Sequence, residues 1–198
     1  MSFYGFPCFV KTTKKIPLLF IQGGGQDGYH ADQSMVASLR YSLGDKFQVY
    51  YPELRTEESQ RDFGFCDQIG TELSKIPDPL ILVGHSFGAS MILKFLTEHH
   101  FTSAVTGVFL LATPFWNGKA HWVQGIMLKD GFAAKLDAEL PLYFYHCFDD
   151  QEVAISHLED YRKCLPQANF NVKQSGGHQL NNNLSFLAAD IKSLTSII

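Results

Sequence analysis

Six short apolar runs punctuate the chain, at residues 17–22 (PLLFIQ), 47–51 (FQVYY), 80–84 (LILVG), 107–112 (GVFLLA), 142–147 (LYFYHC) and 169–174 (NFNVKQ). Most are apolar throughout rather than alternating, the pattern of strands covered on both faces. Between them, apolar residues recur at helical spacing. Met35, Val36, Leu39 and Leu43 form one stripe, with Gly44 as a C-terminal stop and a helix start expected near Asp32. Ile69, Leu73 and Ile76 form a second, closed by IPDP, and Met91, Ile92, Phe95 and Leu96 a third. Val153, Leu158 and Tyr161 share a fourth, and Leu184, Leu187, Ile191 and Leu194 a fifth. This alternation predicts an α/β fold: a mainly parallel sheet of six or slightly more strands, with helices on both faces.

One stretch breaks the rhythm. Residues 113–140 carry both tryptophans and only a weak helical pattern, so they are expected to form a short lid-like insertion. One or two short helices there would present Phe115, Trp116, Trp122 and Met127 as a shallow apolar wall.

Composition narrows the function classes. At 198 residues and 45% hydrophobic, residues 1–198 read as one domain around one core. A net charge of −4, with no basic stripe beyond Lys11, Lys14 and Lys15, makes nucleic acid an unexpected partner. Cys8, Cys66, Cys147 and Cys164 are scattered without a C-x-x-C pair and read as free thiols of a cytoplasmic protein. The N-terminus puts its apolar residues before its lysines, the reverse of a secretory signal. No run approaches the roughly 18 apolar residues of a membrane span. Nothing in the pattern fixes an oligomeric state.

The chemistry concentrates at GHSFG, residues 84–88, a G-x-S-x-G match. Such a match arises by chance roughly 0.1 times in a chain of this kind, so the pattern alone is weak. Its setting is stronger, because a buried strand enters it and an amphipathic helix leaves it. A nucleophile elbow needs that setting: the serine sits on a strained turn that lifts its hydroxyl above the sheet. Gly84 and Gly88 then have a steric reason, since a Cβ at either would collide where helix and strand pack. A buried serine in a glycine-rich turn is the plainer reading.

A serine hydroxyl needs a base. Of eight histidines, His99 and His100 end a helix, His85 sits packed inside the elbow, and His30, His121 and His157 lack a telling context. His178 lies just past the last strand, on a loop loosened by Gly176 and Gly177. That is where a base arriving last in chain order is expected. An acid must orient the imidazole, and FDDQE after the fifth strand offers Asp149, Asp150 and Glu152. Asp150 is favoured to face His178, with Asp149 facing solvent or capping a helix that begins near Glu152. No spacing suggests a metal or a cofactor.

QGGG, GHSFG, HCFDDQEV and GGH together resemble the α/β-hydrolase superfamily, in its small, nearly lidless bacterial serine hydrolase form. The resemblance runs from about Pro17 to the C-terminus. It implies an acid four residues after His146, hence Asp150. Gln22 stands where many members have His, and Cys147 where they often have Gly. The resemblance implies an oxyanion hole built from the amides of Phe87 and Gly24, with Gly25 the near alternative.

The glycines at 23, 25 and 28 also spell G-x-G-x-x-G, and Glu53 lies where a ribose-binding acid would stand. Against a dinucleotide, QDGYHAD separates the glycines from the expected helix start, whereas a pyrophosphate needs the helix to open within them. A cofactor loop also leaves Ser86, Asp150 and His178 unexplained. The expected activity is therefore hydrolysis of a small-molecule ester or thioester through an acyl-enzyme, with short or medium acyl groups preferred. A catalytically silent binding protein on the same fold is the alternative.

Overall fold

The computed structural model describes residues 14–196, and each of the six apolar runs is a strand in it. The elements are β1 (Ile16–Ile21), α1 (Gly28–Leu43), β2 (Phe47–Tyr50), α2 (Phe65–Leu73), β3 (Leu80–His85), α3 (Ser86–Glu98), β4 (Val105–Leu111), α4 (His121–Ile126), β5 (Leu142–Cys147), α5 (Ser156–Cys164), β6 (Asn169–Lys173) and α6 (Ser185–Thr195). The strands form one sheet in the order β2-β1-β3-β4-β5-β6, and every pairing is parallel. This is the α/β-hydrolase arrangement that the sequence predicted.

Alternate side chains of the central strands feed two apolar layers. Leu18 and Phe20 of β1, with Ile81 and Val83 of β3, pack against Met35 and Leu39 of α1 and Leu187 and Ile191 of α6. Leu19, Ile21, Leu80 and Leu82 face the other way, onto Ile69 of α2 and Ile92 of α3. Both faces are buried, which is why these strands are apolar without alternation. Each such side chain contributes about 1.5–3 kcal/mol when fully buried.

The sheet's C-terminal edge carries the turns of interest, and one crossing sets their geometry. Where α3 passes the ends of β1 and β3, a Cβ at Gly84 would stand 2.7 Å from the Ala89 Cα. One at Gly88 would overlap the Gln22 carbonyl oxygen.

Two expectations need correction. Helix α1 opens at Gly28, not near Asp32, because its first turn (Gly28, Tyr29, His30, Ala31) carries no apolar stripe to announce it. Helix α5 begins at Ser156, so Val153 precedes it and no helix starts near Glu152. Residues 113–140 hold α4 and a 3₁₀ turn at Phe132–Lys135, and Phe132 and Leu136 join the core. Among the described residues Cys66, Cys147 and Cys164 are free thiols, while Cys8 and the N-terminal lysine pattern lie largely outside them. No described helix is long and apolar enough to cross a membrane.

The helix crossing yields a test. Gly88→Ala drives a methyl into the β1 backbone, and overpacking of this kind costs about 1–3 kcal/mol. A lowered urea midpoint is expected, whereas an unchanged midpoint would mean that α3 has room to move away.

Candidate active site

Strand β3 runs extended through His85 (φ −116°, ψ 137°), and the next residue, Ser86, turns into the left-handed region at φ 50° to begin α3. A non-glycine residue there stores about 1–3 kcal/mol of strain, held by the packing around it. The turn ends the strand and starts the helix within one residue. No side chain caps the N-terminus of α3, so its first amides are free for another acceptor at the positive end of the helix.

The loop after β1 lies against this turn. A Cβ on Gly24 would be 3.0 Å from the Phe87 Cβ, and one on Gly23 would be 3.6 Å from the Ser86 Cβ. The Gly23 amide is already engaged, donating to Asp32 Oδ2 at 2.8 Å. The Gly24 amide donates to no protein group among the described residues. Gln22 anchors the loop's start by exchanging two hydrogen bonds with the Leu54 backbone, at 3.0 and 3.1 Å. Gln22, which departs from the histidine common in the resembling family, thus has a structural task.

Opposite stand His178 and Asp150. The His178 Nδ1 lies 2.9 Å from Asp150 Oδ2 and 3.2 Å from Oδ1. A carboxylate only accepts, so the Nδ1 side carries the proton and Nε2 is left as the acceptor. Asp150 Oδ1 also accepts the amides of Glu152 and Val153, both at 2.9 Å, which freezes the carboxylate. Burial by itself would raise the Asp150 pKa, but the hydrogen bonds from His178, Val153 and Glu152 outweigh it and hold the carboxyl below its usual range. Burial alone would lower His178. The bond to Asp150 and the charges of Asp150, Glu152 and Asp32 prevail and raise it above the ordinary value. His146 donates from Nε2 to the Val153 carbonyl at 2.7 Å, and its burial pushes its pKa down.

Asp149 is exposed, as expected, but caps no helix. Its carboxylate accepts the amides of Gly177 at 2.8 Å and Gly176 at 3.2 Å, so it clamps the loop that carries His178. Beyond His178 the chain makes three consecutive left-handed residues, Leu180, Asn181 and Asn182, at φ 47°, 54° and 52°. Asparagine tolerates this region, which suits the Asn-rich sequence. Ser86 Oγ makes no hydrogen bond among the described residues, and the His178 Nε2 is 3.6 Å from the exposed Glu152. Contacts between a serine and its base are often long without substrate and tighten around it.

A cavity of about 250 Å³ opens beside the Gly24 and Phe87 backbone, walled by Phe63, Trp116, Trp122 and Ile126. Trp116 is fixed by its Nε1–H, which donates to Ser90 Oγ at 2.9 Å. Of the four wall residues expected from the sequence, Trp116 and Trp122 line this cavity. Phe115 instead turns inward onto Tyr161, ring centres 4.9 Å apart, with its amide on His157 Nδ1. Met127 lies outside the lining and offers its carbonyl to Lys94. Phe63 and Ile126 were missed, because nothing local in their sequence ties them to Ser86.

The described residues contain one group with metal-ligand spacing, Asp62, Cys66 and His99, whose ligand atoms lie within 4.8 Å of one another. Asp62 caps α2 there, accepting the amides of Gly64 and Cys66, and burial with the neighbouring Asp62 pushes the Cys66 thiol far up. The glycine loop is a poor pyrophosphate cradle for a new reason. Helix α1 does open on Gly28, so the position of the helix start does not exclude a pyrophosphate. The buried Asp32 carboxylate, however, already occupies the Gly23 amide and would repel a phosphate.

The sequence model of the serine hydrolase family matches residues 42–185. No curated protein sequence matches the chain. Among solved structures, the ydeN gene product from B. subtilis is 18% identical with a TM-score of 0.69, over 92% of this chain and 100% of that one. Acyl-protein thioesterase 2 from Zea mays is 16% identical with a TM-score of 0.66, over 93% and 95%. The esterase domain of a Rhodothermus marinus protein is 15% identical with a TM-score of 0.65, over 93% and 88%. At these identities the likeness is one of fold.

The two carboxylates of the turn after β5 are separable by titration. NMR should place the His178 pKa above about 6.5, the ordinary histidine value. Asp150→Asn should bring it down, while Asp149→Asn should leave it nearly unmoved. An unshifted His178 in the Asp150 variant would contradict the pairing.

Proposed function

The chain belongs to the serine hydrolase family, and on that premise we propose that it cleaves a carboxylic ester or thioester through an acyl-enzyme on Ser86. One observation carries the reading: the Asp150–His178 pair and the left-handed Ser86 stand at the same edge of the sheet, beside two free amides. Ser86 Oγ attacks the acyl carbon as His178 Nε2 takes its proton. The oxyanion receives hydrogen bonds from the Phe87 and Gly24 amides; contact with Phe87 favours Gly24 over Gly25. Collapse breaks the bond to the leaving group, which departs with the proton from His178. Water then attacks the acyl-enzyme, His178 takes its proton and returns it to Ser86, and the free acid leaves. Asp150 holds the imidazole in the required tautomer throughout.

In this reading residues 1–198 are one α/β-hydrolase domain, with 113–140 as a short lid-like insertion over the site. The acyl group enters the cavity of about 250 Å³ under Trp116 and Trp122, which suits short or medium chains.

Three experiments test the proposal. A fluorophosphonate probe should label the wild-type protein and not Ser86→Ala; a catalytically silent binder would leave both unlabelled. In the unmodified wild-type enzyme, kcat/KM should fall as pH drops through the His178 pKa, because the charged imidazole cannot accept a proton. Since that pKa is raised, the acidic limb should have its midpoint above about 6.5. Asp150→Asn should cut kcat by orders of magnitude, about 10⁴-fold in a well-studied triad.

The cavity makes its own prediction. Across a series of straight-chain esters, kcat/KM should peak near butyrate to hexanoate, and Trp122→Ala should move the peak to longer chains. A wild-type preference for long chains would contradict the shallow pocket.

A further inference from the structure

Behind Ser86 lies a second aspartate–histidine pair that the proposed reaction does not use. Asp32 of α1 and His85 of β3 are each 1% exposed, and His85 Nδ1 stands 2.9 Å from Asp32 Oδ1. The contact is close but bent, off the line of a well-formed hydrogen bond. Each partner also reaches a different loop. Asp32 Oδ2 accepts the Gly23 amide at 2.8 Å, at the start of the glycine loop. His85 Nε2 lies 3.1 Å from the backbone carbonyl of His178. The rings of His85 and His178 are 4.7 Å apart.

The outer atoms fix the character of the pair. A carbonyl can only accept, so His85 Nε2 carries a hydrogen. Both ends of the pair are thus committed: Asp32 Oδ2 to the Gly23 amide, His85 Nε2 to the His178 carbonyl. Burying two ionisable groups in an apolar layer is costly unless their remaining hydrogen bonds are satisfied. Here those remaining bonds go to the two loops that must meet around Ser86.

The geometry points to Asp32 and His85 as positioning residues that set the glycine loop and the His178 loop at fixed distances from the Ser86 turn. This inference rests on the reading of Ser86, His178 and the Gly24 amide given above. Binding the Gly23 amide fixes the start of the glycine loop, whose next residue, Gly24, lies close against Phe87. Binding the His178 carbonyl restrains the base through a contact separate from those of Asp150 and Asp149. An error of about 1 Å in such placement can cost about 100-fold in rate.

The test combines hydrogen exchange, which needs no turnover, with kinetics normalised to active sites titrated by a fluorophosphonate. In Asp32→Ala, amide exchange should rise in both 22–27 and 175–183, and kcat per titrated site should fall about 10- to 100-fold with KM little changed. Asp32→Asn should restore most of both, because its amide can accept from Gly23 and donate to His85. Should Asp32→Ala fail to fold, the double variant Asp32→Asn/His85→Phe strands no charge. It should loosen 175–183 alone while 22–27 stays protected. Unchanged exchange in 175–183 in these variants, or a wild-type kcat per titrated site in Asp32→Ala, would overturn the inference. A wild-type protein that the probe never labels would instead sink the hydrolase reading, with the exchange result still deciding whether the pair ties the two loops.

Discussion

The passage of α3 across the ends of β1 and β3 is the constraint from which the site follows. It is close enough that a Cβ at Gly84 would stand 2.7 Å from the Ala89 Cα, so two positions can hold no side chain. The same closeness leaves a single residue to convert strand into helix, and that residue, Ser86, takes the left-handed conformation at φ 50°. The strain is sustained by the apolar layers on either face, where Ile21, Leu82 and Ile92 are fully buried. Because the helix starts so abruptly, its first amides remain free beside the serine. Sheet packing, turn strain and a helix end with uncapped amides are thus one structural fact seen at three scales.

Around that fixed point, polar anchors set the neighbouring loops. Asp150 divides its two oxygens between a turn and an imidazole, so the segment after β5 cannot shift without moving His178. Asp149 closes on the Gly176 and Gly177 amides. Two adjacent acids therefore hold one loop by different atoms, which gives the glycines there both freedom to bend and a reason to stay put. Gln22 does the corresponding work for the glycine loop through the Leu54 backbone.

The sheet was legible in the sequence because strands buried on both faces must be apolar along their length, and six such runs stand out. Ser86, His178 and Asp150 were legible for a different reason: each follows a strand, so topology carries it to the same edge. What escaped notice depends on partners far along the chain. Asp149 meets amides 27 and 28 residues away, and Asp32 meets His85, which looked merely packed within the elbow. The early start of α1 was hidden by a first turn without apolar spacing. Phe115 was misread because its burial is decided by Tyr161 and His157, which no local pattern connects to it.

The central claim is that Ser86 carries the acyl group during turnover. Rapid-quench mass spectrometry on the wild-type protein mixed with excess butyrate ester tests it most directly. The peptide containing Ser86 should gain the mass of the acyl group within the first turnover and lose it as substrate runs out. Sustained hydrolysis with no adduct on that peptide, or with the adduct on another residue, would contradict it.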